Sequence, residues 1–134
     1  MSSVRVLVVD DYEPFRRFVC STLCQRPTLQ IICEASDGAE AVRRAAELKP
    51  DLIILDIGLP TLNGIEAARR IRKVSPNSKI IYVSQESSAD IVQEALSVGA
   101  LAYVVKAHAG NDLLAAVDAI LESSQFVSGG LTGH

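Results

Sequence analysis

The sequence predicts an α/β fold: five parallel strands in one sheet, covered by helices on both faces to give a three-layer (βα)5 sandwich. Three observations predict it. Short apolar runs rich in Val and Ile alternate five times with segments whose apolar residues recur at helical spacing. Strict alternation with helix-length connections gives a parallel sheet. The run Leu52-Ile53-Ile54-Leu55 is apolar without interruption, which suits a strand buried on both faces. Gly58, Pro60, Asn63 and Gly64 follow it, and these are turn residues.

The elements run in order. Val4 to Val9 is the first strand and ends in Asp10-Asp11. Phe15, Phe18, Val19, Thr22 and Leu23 mark one face of the first helix, which Pro14 suits at its first turn and Pro27 stops. Leu29 to Ala35 is the second strand, and Ser36-Asp37-Gly38 caps the next helix. That helix carries Ala41, Val42, Ala45, Ala46 and Leu48 on its apolar stripe and ends at Pro50. The third strand, about residues 51–56, ends in Asp56, an acid expected to emerge where the strand meets solvent. Asn63 caps the third helix, which turns Ile65, Ala68 and Ile71 inward before Pro76. Lys79 to Val83 is the fourth strand, ending at Ser84, and Ser87 or Ser88 caps a helix with Ile91, Val92, Ala95 and Leu96 on its apolar face. Leu101 to Val105 is the fifth strand, ending at Lys106, and Leu113, Leu114, Val117, Ile120 and Leu121 form the last helical face. Residues 1–123 are read as one domain and 124–134, rich in Ser and Gly, as a frayed tail or the start of a linker.

Composition narrows the function. With 134 residues the chain is one domain, and with no Trp its core must be Val, Ile, Leu and Ala. A net charge of −3 argues against nucleic-acid binding by this segment. Cys20, Cys24 and Cys33 are an odd set without metal-site spacing; Cys20 and Cys24 lie one helical turn apart, but lone thiols are the stronger reading. The sequence shows no signal-peptide pattern and no run of the ~20 apolar residues a membrane span needs, so a reducing cytoplasm is expected.

For five strands the flavodoxin-like order 2-1-3-4-5 is a common solution, with ligands bound outside the carboxyl ends of the strands. That order gathers Asp10, Asp11, Asp56, Ser84 and Lys106 at one edge of the sheet. Each alone reads as a cap, a loop residue or a solvated charge; their agreement at four strand ends argues for a site. Neighbouring carboxylates repel one another and call for a cation. Mg²⁺ suits oxygen ligands and phosphate, Lys106 adds a point charge, and Ser84 offers a hydroxyl. Phosphoryl transfer to the Asp56 carboxylate fits this set, with no general base required. His108 and His134 lie away from the strand ends and read as surface residues.

The segments Val8-Val9-Asp10-Asp11, Asp56-Ile57-Gly58-Leu59-Pro60 with Asn63-Gly64, Ser84, Gly99-Ala100, Tyr103 and Lys106 resemble the response-regulator receiver domain of two-component signalling, a CheY-like fold, over about residues 3–123. The resemblance implies that Asp56 accepts a phosphoryl group from a sensor histidine kinase. It implies that Asp11, Asp56 and the Gly58 carbonyl ligate Mg²⁺, with Asp10 acting through water. Lys106 and Ser84 would contact the phosphoryl group, and Tyr103 would turn inward behind Ser84 as the switch. Weak self-phosphotransfer and autodephosphorylation, rather than enzymatic turnover, go with this role, as does a homodimer on phosphorylation.

The Asn63–Arg72 stretch and Gln125-Phe126-Val127-Ser128 resemble the NarL/FixJ type. That likeness implies transcriptional control through a helix-turn-helix output domain outside these residues. Two departures stand out. Ala107 follows Lys106 where many members have Pro in a cis bond, an isomer that costs a non-proline residue about 2.5–4 kcal/mol. Gly58, Gln85 and Glu86 are read as the positions that tune phosphoryl lifetime. A phosphorylation-independent binding module and a haloacid-dehalogenase-like phosphatase are the competing readings. The phosphatase is disfavoured because Asp10-Asp11-Tyr12 lacks two acids spaced two residues apart.

Overall fold

The computed structural model describes residues 3–85, 88–122 and 126–127. The strands are β1 (Val4–Val9), β2 (Leu29–Ala35), β3 (Leu52–Asp56), β4 (Lys79–Ser84), β5 (Ala102–Val105) and β6 (Phe126–Val127). The helices are α1 (Glu13–Leu23), α2 (Gly38–Leu48), α3 (Gly64–Val74), α4 (Ala89–Ser97) and α5 (Ala109–Leu121). The strands form one sheet in the order β2-β1-β3-β4-β5-β6, parallel throughout. The five predicted strands therefore take the expected order 2-1-3-4-5.

The sixth strand, Phe126–Val127, falls within the stretch 124–134 read from sequence as a frayed tail or the start of a linker. Ala102 pairs with Phe126 and Tyr103 with Val127. Without this pairing β5 would present unsatisfied backbone groups along its outer edge, and α5 brings the chain back along the sheet to supply them. The other residues from 123 onward, with His134, lie outside the described residues, as do Glu86 and Ser87.

Period-2 alternation divides the core into two halves. Leu7, Val9, Ile53, Leu55, Ile80, Tyr82 and Tyr103 face α2, α3 and α4. Val6, Val8, Leu52, Ile54, Ile81, Val83 and Val104 face α1 and α5. β3 lies in the middle and is buried along its whole length, Asp56 included. The expectation that Asp56 emerges into solvent is thus overturned, for it is only 5% exposed.

Local chemistry sets the helix starts. Asp37, Asn63 and Ser88 each accept a hydrogen bond at their helix's N-terminus, from the backbone N–H groups of Glu40, Glu66 and Ile91. α1 has Tyr12 as its N-cap, with no side-chain cap bond, and Pro14 in its first turn. Its stripe is narrower than spacing implied: Val19, Thr22 and Leu23 are buried, whereas Phe18 is exposed. Ala46 of α2 is likewise exposed. Val105 leads into a short 3-10 turn, Lys106–His108, and every described peptide bond is trans, including Lys106–Ala107. His108 is exposed, and the thiols are free, with Cys24 exposed and Cys20 and Cys33 half-buried. Burial pushes the Cys20 thiol up to about 11, so it behaves as a core group rather than a nucleophile.

Gly64 locks the loop after Asp56. A Cβ there would lie 2.2 Å from the Asp56 carbonyl oxygen and 2.7 Å from the Ile57 Cα, both backbone atoms that cannot swing aside. At Gly58 a Cβ would meet nothing within 4 Å. Gly64→Ala is expected to cost about 1–3 kcal/mol by overpacking, and Gly58→Ala to stay within about 0.5 kcal/mol of wild type. Urea unfolding of both variants checks the contrast, and equal costs would contradict the close approach at Gly64.

Candidate functional site

Register brings the acids together. Val9 pairs with Leu55 across β1 and β3, so Asp10 follows β1 beside Asp56 at the end of β3. Ser84 pairs with Val105 across β4 and β5, which sets Lys106 just beyond. One oxygen from each of Asp10, Asp11 and Asp56 falls within 4.8 Å of the others. Asp10 and Asp56 are buried and Asp11 is exposed. Asp11, Asp56, Gly58, Ser84, Gln85 and Lys106 line one cleft.

Lys106 is the counter-charge. Its Nζ lies 2.9 Å from Asp10 Oδ2 and 3.4 Å from Asp56 Oδ2. The remaining oxygens are partnered by backbone: the Tyr12 N–H donates to Asp10 Oδ1 at 2.8 Å and the Gly58 N–H to Asp56 Oδ1 at 3.2 Å. Asp10 does not cap α1, whose N-cap is Tyr12; its carboxylate accepts from the N–H of that residue, just ahead of the helix. One ammonium faces three carboxylates. Burial pushes the Asp56 carboxyl above its ordinary value, and the neighbouring Asp10 charge adds to that, against the opposing pull of Lys106 and the Gly58 N–H.

This charge imbalance is what a divalent cation would relieve. The oxygen-only donor set, two buried carboxylates and one at the solvent edge, fits a hard ion such as Mg²⁺. Gly58 leaves open space at the rim, so a ligand could approach Asp56 from that side.

Sequence reasoning missed the contacts made by three side chains. Lys106 pairs more closely with Asp10 than with Asp56. Arg16 donates to the Asp10 backbone carbonyl at 2.9 Å and to Glu34 Oε1 at 2.8 Å, tying α1 and β2 to the end of β1. Phe15 packs against the core as its place on the helix's stripe implied, and it also lines the cleft, with Lys106 Nζ 4.6 Å from its ring centroid. Hydrophobic periodicity locates a face of a helix, not the object that the face meets, so no signal in the sequence gave these pairs. Ser84 is buried at the end of β4. Tyr103 is fully buried on β5, beside Tyr82 with ring centroids 6.2 Å apart.

The chain matches the model of the response regulator receiver domain over residues 6–118. It is 40% identical over 102 residues to the chemotaxis protein CheY of Thermotoga maritima, covering 76% of this chain and 84% of that protein. It is 36% identical over 116 residues to the transcriptional regulatory protein LiaR of Bacillus subtilis, covering 87% of this chain and 55% of LiaR. A two-component response regulator of the LuxR family from Aurantimonas sp. SI85-9A1 superposes with a TM-score of 0.92 at 30% identity, over 98% of this chain and 94% of that one. The chain thus spans about half the length of LiaR, and less of some other relatives.

The raised Asp56 carboxyl has a stability consequence. A carboxyl whose folded-state pKa lies above its unfolded value favours the folded state below the unfolded pKa and loses that contribution as pH rises through the folded one. Without added metal, Asp56→Asn should therefore be more stable than wild type near neutral pH. The margin should shrink as pH falls toward the ordinary carboxylate range. Denaturant unfolding of both proteins across that range checks it, and a margin that grows on acidification would refute the direction.

Proposed function

The chain belongs to the response regulator receiver family, and on that footing we propose that Asp56 takes a phosphoryl group from the phosphohistidine of a sensor histidine kinase. The observation that carries this reading is the buried Asp56 carboxylate, with Asp10, Asp11 and Lys106 around it at the mouth of the sheet. An ionised carboxylate needs no base to attack. An Asp56 oxygen forms the bond to phosphorus, the phosphorus–nitrogen bond breaks, and the imidazole nitrogen keeps the electron pair and takes a proton from solvent.

Asp11, Asp56 and the Gly58 carbonyl would hold Mg²⁺, with Asp10 acting through water. The ion supplies positive charge that keeps Asp56 ionised and offsets charge on the phosphoryl oxygens. Lys106 leaves Asp10 to pair with the phosphoryl group, and Ser84 donates to it. Ser84 and Tyr103 then carry the change from the site to the α4–β5 surface, a two-state element biased by a new local charge. Gly58 and Gln85 border the acid and tune how long the acyl phosphate lasts; Glu86 belongs with them in sequence.

Residues 1–123 act as the receiver, and the residues after them lead to an output. The 30% likeness to a LuxR-family regulator and the match to LiaR support transcriptional control through a helix-turn-helix domain. In this reading the protein works in the cytoplasm, pairs with a second copy when phosphorylated, and acts as a phosphoacceptor with slow self-dephosphorylation rather than as a turnover enzyme. Among the described residues no helix is long and apolar enough to cross a membrane.

With Mg²⁺ and acetyl phosphate, wild type should gain one hydroxylamine-labile phosphoryl group, seen by intact mass. Asp56→Asn should gain none, and Lys106→Ala should be slowed at least about ten-fold. Light scattering should show the modified wild type shifting toward dimer. Equal labelling of wild type and Asp56→Asn would sink the assignment of the acceptor.

A further inference from the structure

The Lys106 ammonium has a third neighbour besides Asp10 and Asp56. The Phe15 ring lies against it, with Nζ 4.6 Å from the centroid, inside the roughly 6 Å over which an aromatic face attracts a cation. Phe15 sits in the first turn of α1, half-buried, with its ring 5.5 Å from that of Phe18. Lys106 reaches it from the end of β5 across the cleft, and its side chain is only 12% exposed. The ammonium is thus confined between two carboxylates and one ring.

We propose that Phe15 is a positioning residue for Lys106, its ring holding the ammonium over the carboxylates while leaving all three N–H donors free for oxygens. A polar neighbour at this place would take up a donor and anchor the ammonium where it stands. A ring face attracts charge without a directional hydrogen bond. Lys106 can therefore exchange its 2.9 Å contact with Asp10 for a phosphoryl oxygen on Asp56 without leaving the ring. An aliphatic side chain would fill the same space but supply no attraction for the cation. This inference rests on the proposed role of Asp56.

The test separates shape from charge. Three variants are compared with wild type: Phe15→Tyr keeps the ring face, Phe15→Leu removes it, and pentafluorophenylalanine at position 15 keeps the shape but reverses the polarity of the face. Two quantities are read: the order parameter of the Lys106 ammonium by NMR in the ligand-free protein, and the affinity for beryllofluoride with Mg²⁺. Thermal unfolding accompanies both. Phe15→Tyr should match wild type within about two-fold. The Leu and pentafluorinated forms should loosen Lys106 and bind beryllofluoride about five-fold more weakly, equivalent to about 1 kcal/mol at a factor of ten per 1.4 kcal/mol. Unchanged ammonium order across the series overturns the proposal, as does an equal loss in all three variants. If the order responds as expected but wild type binds no beryllofluoride, the reading of Asp56 fails while the hold of the ring on Lys106 stands.

Discussion

One ammonium makes the buried acids of this protein tolerable. Asp10 and Asp56 are each 5% exposed or less, and two carboxylates so placed repel each other. Lys106 stands against both. Removing Lys106 would leave the buried carboxylates uncompensated, at a cost of about 3–5 kcal/mol. The neutralisation is incomplete, however, because Asp11 adds a third acid at the solvent edge. The fold supports a site that is short of positive charge, and that shortage is a driving force for binding a divalent ion.

The rest of the architecture serves to bring that lysine to those acids. Lys106 is 50 residues from Asp56 in sequence, and only the order β1-β3-β4-β5 along the sheet makes them neighbours. Parallel strands put all the carboxyl ends on one side, so each strand can deliver one polar group to a common edge. Apolar layers above and below then exclude water from the strands themselves. Gly64 lets α3 start directly against the Asp56 backbone. Arg16 binds the Asp10 carbonyl and Glu34.

The interior beneath the site has an uneven polar content. Tyr82 is fully buried, and its hydroxyl has no hydrogen-bond partner among the described residues. Burial raises its pKa well above the usual phenol range. It lies on the same side of the sheet as Tyr103, on the neighbouring strand. An unsatisfied buried hydroxyl costs about 1–3 kcal/mol.

Much of this was legible in the sequence, and for a stated reason. Periodicity and turn residues marked the first five strands and all five helices, because burial on one or both faces forces a pattern on each segment separately. Acids and a lysine at strand ends pointed to a common edge once a parallel sheet was inferred. What the sequence did not determine lies in relations between segments. Asp56 looked like an acid emerging into water, yet it is buried. Phe15 and Phe18 looked equivalent on a helical stripe, yet one faces Lys106 and the other is exposed. Phe126–Val127 sits in a Ser- and Gly-rich stretch, and only the open edge of β5 makes it a strand. Local pattern reports which residues avoid water; which charge meets which, and at what distance, is decided when distant segments share one edge.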